Sequence, residues 1–435
     1  MSSILQDETF FISIIGILVC IKQTKGHSVG SDQLTMLLNV CTLTIILLTA
    51  HLLILRSNQY QTYLALAVCF LCVGFILAKP VIGLLIPNAQ LYWLIISLPV
   101  LLFIAPSFWL YVKGLTHDTP WRFKRSELKH FYTATMGLLI AVSALLLPSD
   151  LLNSIVSDDG NSTDLLKHYP VILSYWIDFL LMITFLLILG FVLQSGYYCL
   201  KIFKRLKNYN HHLKDLFAST ESKELRWMRI LLTIIGAVWL MTATNIIWNN
   251  VFHINLINQT WIDVIILVMV WILSIWGLRQ KPGFEELYDS STNSPDAVTE
   301  LLKTKKKKYE RSALDKSQSQ IIAQTIIKAM VNEQLYLDNE LSLQKLARQI
   351  NTPANYISQT LNSTIGMNFF DFVNTYRIDR AKKLLTSRSM AVIDIAFEVG
   401  FNAKSSFYKA FKKNTAITPS EFRKQHRLNK NKLNT

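Results

Sequence analysis

Apolar and polar positions divide this chain into two kinds of text. Up to about residue 280, apolar stretches run at roughly 9–21, 34–55, 62–86, 91–112, 131–147, 171–193, 230–248 and 261–277. Most approach the ~20 residues that an α-helix needs to cross a bilayer. The first is the shortest. A few residues around Pro87 separate the third from the fourth, which predicts a tight hairpin, and Pro80, Pro99 and Pro106 are predicted to kink their helices. From Pro282 to Ser317 the chain turns polar, through Asp289-Ser-Ser-Thr-Asn-Ser-Pro295 and the run Lys305 to Lys308. Apolar residues then return at helical spacing, beginning with Ile322, Ile326, Ile327 and Met330. The pattern predicts an all-α chain. Residues 1–281 form a polytopic membrane domain of seven or eight helices, 282–317 a Lys-rich linker, and 318–430 a soluble helical domain.

Within that last domain, two segments carry the spacing of a helix-turn-helix. In the second, Ile395-Ala396 face inward on a first helix and Gly400 sits where the chain must turn. Phe407 and Phe411, four residues apart, place one face of the following helix in a core. Its other face shows Lys404, Ser405, Tyr408, Lys409 and Lys412. About fifty residues earlier, Leu341-Ser342-Leu343-x-x-Leu346-Ala347 opens a similar unit. There Thr352 is the expected N-cap ahead of Pro353, with Ile357 and Leu361 inward and Asn355, Ser358, Gln359 and Asn362 outward. A helix from about Phe370 to Leu385 joins the two. One such pattern is a moderate signal; two flanking a helix are a strong one.

Charge sharpens the division. Residues 1–302 hold 20 Lys and Arg against 19 Asp and Glu, whereas residues 303–435 hold 24 against 10. Nearly all of the +15 net charge therefore lies in the tail, and so basic a tail expects a polyanion. The loops 113–130 and 200–229 and the pair Arg279 and Lys281 are basic, while 148–170 is acidic and 249–260 carries no charge. Positive loops face the cytoplasm. The expected location is the cytoplasmic (inner) membrane, multi-pass, with the C-terminal domain in the cytoplasm; Lys22 and Lys25 alone fall on the wrong side. The run Lys305–Lys308 reads either as a solvated linker or as a contact to acidic lipid.

Chemistry beyond binding is scarce. His51, Lys79, Asp178, Asn245 and Asp263 fall inside apolar stretches, where a polar group is costly. Asp178, about eight residues into its stretch, is the candidate signal-sensing residue; Lys79 and Asp263 are near segment ends, and His51 is within reach of a neighbouring helix. The five cysteines all lie in or beside apolar stretches, and Cys69-x-x-Cys72 reads as packing rather than as a redox or metal pair. The N-terminus lacks the pattern of a removable signal peptide, and the sequons at Asn161 and Asn258 carry weight only in a glycosylating cell. No nucleotide loop, phosphorelay pattern, metal-spaced cluster or nucleophile elbow occurs, and His211-His212 reads as surface. No catalysis, cofactor or metal is expected.

The tail, over roughly 318–427, resembles the DNA-binding domain of the AraC/XylS transcription regulators. The segments that carry the resemblance are Phe369-Phe370-x-Phe372-Val373-Asn374-x-Tyr376-Arg377-Ile378, Ile395-Ala396-x-x-x-Gly400-Phe401 and Thr418-Pro419-x-x-Phe422-Arg423. Membrane helices ahead of such a domain are similar to the membrane-bound sensors of that family. The resemblance implies two recognition helices in major-groove faces about one turn, ~34 Å, apart. It implies base contacts from Asn355, Ser358 and Gln359 in the first unit and from Lys404, Ser405, Ser406 and Lys409 in the second. Phosphate contacts are expected from Arg377, Lys412 and Arg423. Two positions depart from the pattern. Ala403 replaces a usual serine cap, which Asn402 is expected to supply, and Ala416 replaces a common glycine. The implied function is a membrane-embedded regulator coupling a membrane or extracytoplasmic signal, a small molecule or peptide, to promoter DNA. RNA polymerase, membrane lipid and a second copy of the chain are the other partners this reading admits. The alternative is a transporter or receptor whose basic tail binds DNA or lipid secondarily.

Overall fold

The computed structural model describes residues 29–152, 168–221, 223–252, 259–284 and 314–433. The first apolar stretch, the two sequons and the Lys305–Lys308 run lie outside the described residues, as does the side chain of Asn245. The described residues are helical, with one isolated antiparallel bridge between Phe217 and Ser342 and no strand. The chain divides into two compact units: residues 1–204 with 226–282, and residues 205–225 with 283–435.

The first unit holds α1 (Val29–Arg56), α2 (Thr62–Leu77), α3 (Lys79–Leu85), α4 (Gln90–Leu115), α5 (Tyr132–Leu145), the start of α6 (Val171–Leu216), α7 (Arg226–Phe252) and α8 (Gln259–Arg279). Helix α1 packs on α2 and α8, and α4 on α2 and α5. Five helices among the described residues are long and apolar enough to cross a membrane, and α2 with α3 makes a sixth if that pair, bent by 51°, is one span. Pro80 explains the bend: it stands in the first turn of α3 and has no N–H to continue the ladder from α2. Large apolar side chains point outward, among them Leu48, Leu139, Ile172 and Leu193.

At one end of this unit the polar connections meet. The Arg56 guanidinium donates to the Leu278 carbonyl and lies 4.5 Å from the Tyr63 ring centre. The Tyr63 hydroxyl donates to the Gln280 carbonyl at 2.8 Å, and Trp227 Nε1 donates to Gln280 Oε1 at 3.0 Å. Phe123 N–H donates to Gln61 Oε1 at 2.9 Å. Thus residues from the basic segments 113–130, 226–229 and 279–281 gather with the α1–α2 turn. Asp263, near the start of α8, is buried and faces Asn39, whose Nδ2 lies 3.5 Å from Oδ2.

One expectation is corrected here. The stretch at 171–193 continues as helix to Leu216, so the basic 200–229 region is a loop only from Phe217. Its residues 205–225 cluster with the second unit.

That unit holds α9 (Lys316–Val331), α10 (Leu343–Gln349), α11 (Ala354–Thr360), α12 (Phe369–Ser387), α13 (Val392–Glu398), α14 (Lys404–Thr415) and α15 (Pro419–Leu433). Two cores form. Ile326, Met330, Leu346, Ile357, Leu361, Phe369 and Val373 belong to one; Ile378, Leu384, Ile395, Val399, Phe407 and Phe411 belong to the other. Helix α12 serves both, its first half inserting Phe369, Phe372 and Val373 and its second Ile378, Ala381, Leu384 and Leu385. It begins on a side-chain cap, Asp371 N–H donating to Asn368 Oδ1 at 2.8 Å. Helix α15 begins on a capping box: Glu421 Oε2 accepts from Thr418 N–H at 2.8 Å, and Thr418 Oγ1 accepts from Glu421 N–H at 3.3 Å.

Candidate nucleic-acid interface

The two helix-turn-helix units close their turns in the same way. In the first, Thr352 N–H donates to the Ala347 carbonyl at 3.0 Å; in the second, Phe401 N–H donates to the Ala396 carbonyl at 3.0 Å. Each turn reverses through one left-handed residue, Asn351 at φ 47° and Gly400 at φ 95°. Asparagine tolerates that region, because its short polar side chain finds local partners; glycine has no Cβ to clash. Gly400 has a second reason. A Cβ there would lie 2.8 Å from the Tyr336 carbonyl oxygen and 2.9 Å from that of Leu337.

After each turn comes the second helix of the unit, α11 or α14, with Pro353 and Ala403 at equivalent N-cap positions. Neither accepts a side-chain cap bond, and two expectations are thereby corrected. Thr352 does not cap α11; its hydroxyl donates to the Ile350 carbonyl at 3.1 Å. Asn402 does not cap α14; its Nδ2 donates to the Asn339 carbonyl at 3.1 Å. Ala416, which stands where a glycine is common, adopts φ 65° to end α14.

Burial of Ile357, and of Leu361 just past the end of α11, turns the opposite face of α11 outward, and burial of Phe407 and Phe411 does the same for α14. Asn355, Lys404, Ser405 and Lys409 are exposed, while Ser358, Gln359 and Ser406 are half-buried on the flanks. The Lys404 ammonium rests 5.4 Å from the Tyr408 ring centre. Lys412 is exposed at the end of α14, and its neighbour Lys413 pairs with Asp371 at 2.7 Å, fixing α14 to α12. Arg423 is half-buried, with Nε and Nη2 shut away from solvent and without a hydrogen-bond partner. Asp178 stands on the exposed side of α6 in the first unit; among the described residues no group of three or more His, Cys, Asp or Glu is arranged to hold a metal.

Arg377 is not on the surface of the unit. It is fully buried in α12, so the expectation of a phosphate contact is corrected. Its Nε donates to the Tyr336 carbonyl at 2.7 Å and its Nη2 to the Asp338 carbonyl at 2.8 Å, both in the first half of the domain. Its guanidinium carbon lies 5.4 Å from the ring centre of Phe401, in the second half. Nη1 reaches the Ala218 carbonyl and Ser219 Oγ, each at 3.2 Å. Burial lowers its pKa to about 10, partly countered by the charges of Glu221 and Asp338, so it is cationic at neutral pH. A charged group this deep needs such a set of acceptors. The signal was in the sequence: Val373, Arg377, Ala381 and Leu385 recur every four residues on the inward stripe of α12.

These features coincide with what known proteins share with this chain. The family described as a helix-turn-helix domain matches residues 346–425. An HTH-type transcriptional regulator of Bacillus subtilis, YtdP, is 36% identical over 90 residues, which is 21% of this chain and 12% of that protein. A regulator of the same description from Staphylococcus aureus is 33% identical over 90 residues, with the same shares. The chain thus spans about an eighth of the length of these relatives. The C-terminal domain of the two-component response regulator yesN from Fusobacterium nucleatum aligns over 25% of this chain and 98% of its own, at 28% identity and a TM-score of 0.21. Residues 346–425 are a helix-turn-helix domain of the AraC type.

Proposed function

We propose that this chain is a membrane-embedded transcription regulator that couples a signal at or beyond the membrane to sequence-specific promoter binding. The observation that carries the reading is the matched pair of helix-turn-helix units, each turning a polar or basic helix face to solvent. Asn355 and Gln359 on α11 suit adenine, Lys404 and Lys409 on α14 suit guanine, and Ser358, Ser405 and Ser406 suit either. Lys412 and the outer part of Arg423 serve the phosphates. Insertion in a membrane is supported by the long helices whose outward faces are apolar. A cytoplasmic second unit is supported by the gathering of basic segments at one end of the first, since positive loops stay inside. Asp178 is retained as the candidate signal contact because an ionisable group on an exposed apolar helix is costly unless used.

The test places the full chain in lipid nanodiscs against a pool of random duplexes at about 150 mM salt, near physiological ionic strength. Recovery of two short boxes centred about one helical turn, ~34 Å, apart is the expected result. Salt-sensitive retention with no recovered motif sinks the reading and leaves a basic tail that holds any polyanion.

A further inference from the structure

The second unit contains a piece that does not come from the tail. Residues 205–225, the end of α6 and the loop after it, stand in the sequence between two apolar helices of the first unit. The loop adds its backbone to the DNA-binding domain. Ala218 N–H donates to the Leu341 carbonyl at 3.0 Å, and Phe217 bridges antiparallel to Ser342, the residue that caps α10. Ala218 enters the core of the first half, Leu216 packs against it, and Lys214 lies 5.8 Å from the Phe370 ring centre. Phe217 is buried and stacks toward Phe284, which also meets Tyr209 and His212.

The same few residues complete the surroundings of Arg377. Inside the tail, Nη1 has one acceptor, Asn374 Oδ1 at 3.4 Å. The loop supplies the Ala218 carbonyl, the Ser219 hydroxyl and the negative charge of Glu221, whose Oε2 is buried without a hydrogen bond. Arg377 in turn ties Tyr336 and Asp338 of the first half to Phe401 of the second. Remove the loop and a buried cation loses two of its five hydrogen-bond acceptors and one neighbouring negative charge at the seam between the halves. None of Asn355, Gln359, Lys404, Ser405 and Lys409 is buried with the loop in place, so its presence leaves the proposed DNA face open.

From this juxtaposition we propose that residues 217–221 are a control strap. Seated, it clamps Arg377 and fixes the two recognition helices at one spacing. Drawn away by movement of α6 or α7, between which it is strung, it frees the halves to move and weakens specific DNA binding. The proposal rests on the regulator reading above and names how that regulator is switched.

Two measurements on the full chain in nanodiscs test it, in a background without the native cysteines. First, spin labels at Asn362→Cys and Asn414→Cys report the spacing of the halves with no DNA present. The strap predicts a narrow distance distribution that broadens or shifts with Ala218→Pro, which deletes the N–H donated to Leu341. An unchanged distribution overturns the proposal. Second, Phe217→Cys with Ser342→Cys places two thiols across a β-bridge, whose Cα atoms lie about 4.5–5.5 Å apart and so within disulfide reach. This variant is its own folding control, since the same protein is measured reduced and oxidised. Oxidation is expected to raise affinity for the selected duplex at least fivefold and to leave random DNA unaffected. No change, or weaker binding, on oxidation overturns the strap as a positive clamp. If no duplex is ever selected, the regulator reading fails by itself, while the label distances still decide the strap.

Discussion

Gly400→Ala is the sharpest perturbation of the seam, because two separate penalties meet at one added methyl. Alanine at φ 95° sits in left-handed territory, which costs an L-residue about 1–2 kcal/mol. The methyl would also stand 2.8 and 2.9 Å from the carbonyl oxygens of Tyr336 and Leu337, where carbon and oxygen normally stay about 3.3 Å or more apart. Tyr336 is the carbonyl that Arg377 Nε holds at 2.7 Å. Moving it loosens a buried, charge-assisted bond worth about 1.5–3 kcal/mol. The expected total loss is about 2.5–5 kcal/mol. Pulse proteolysis of the full chain across a urea series, scored on the C-terminal unit, reads this as a lowered midpoint. The stronger check is a double-mutant cycle with Arg377→Met, in which Gly400→Ala should retain only its conformational cost of about 1–2 kcal/mol. A total loss below about 1 kcal/mol, or additivity within about 0.5 kcal/mol, refutes the claim that this glycine acts through Arg377.

Other outcomes follow from the caps, the turn and the exposed faces. Ala416→Gly relieves the left-handed alanine that ends α14 and should stabilise the unit by roughly 0.5–1 kcal/mol, read in the same urea series. Ala403→Ser supplies the missing cap of α14 and should add about 0.5–1 kcal/mol; a neutral result would mean that its N–H groups are already satisfied. Lys409→Ala or Gln359→Ala should cost about 1–3 kcal/mol at one box and relax base preference there, measured by repeating the duplex selection. Lys412→Ala should instead weaken all sequences alike and flatten the salt dependence of binding. Hydrogen bonds from the Thr418 backbone and hydroxyl lower the Glu421 pKa, so its cap contributes fully above the ordinary value of 4.5 and is lost as pH falls through the folded value. Glu421→Gln should remove that acid dependence from the stability profile.

The helix-turn-helix pair was legible because its geometry is written in side chains. Ala396, Gly400, Phe407 and Phe411 stand at spacings only a tight turn between two packed helices satisfies, and the structure buries all but the exposed faces that spacing left outward. Arg377 was misread because charge was weighed above period. Its position on the inward stripe was visible, but three of the five acceptors that make burial tolerable are carbonyls of residues about forty positions earlier and of a loop nearly 160 positions away. Backbone carbonyls carry no sequence signature, and for the same reason the strap was invisible: Ala218 and Leu341 meet through their main chains. The continuation of α6 to Leu216 was hidden differently. Its later turns lose apolar character, but no glycine or proline interrupts them between Tyr197 and Leu216, and helix needs no apolar face to persist. Caps shifted by one residue at Pro353 and Ala403, since a threonine or asparagine side chain chooses among several nearby backbone partners.

The two cores of the second unit share a helix but not their residues, and this has a bearing on how such a chain changes over generations. Repacking around Ile357 and Leu361 re-aims one recognition face without disturbing the bed of Phe407 and Phe411, and the reverse holds equally. On the proposed reading, each half of a two-part DNA site could drift in company with the helix that faces it, so that new vocabularies would arise one word at a time while the grammar between the words stays with α12.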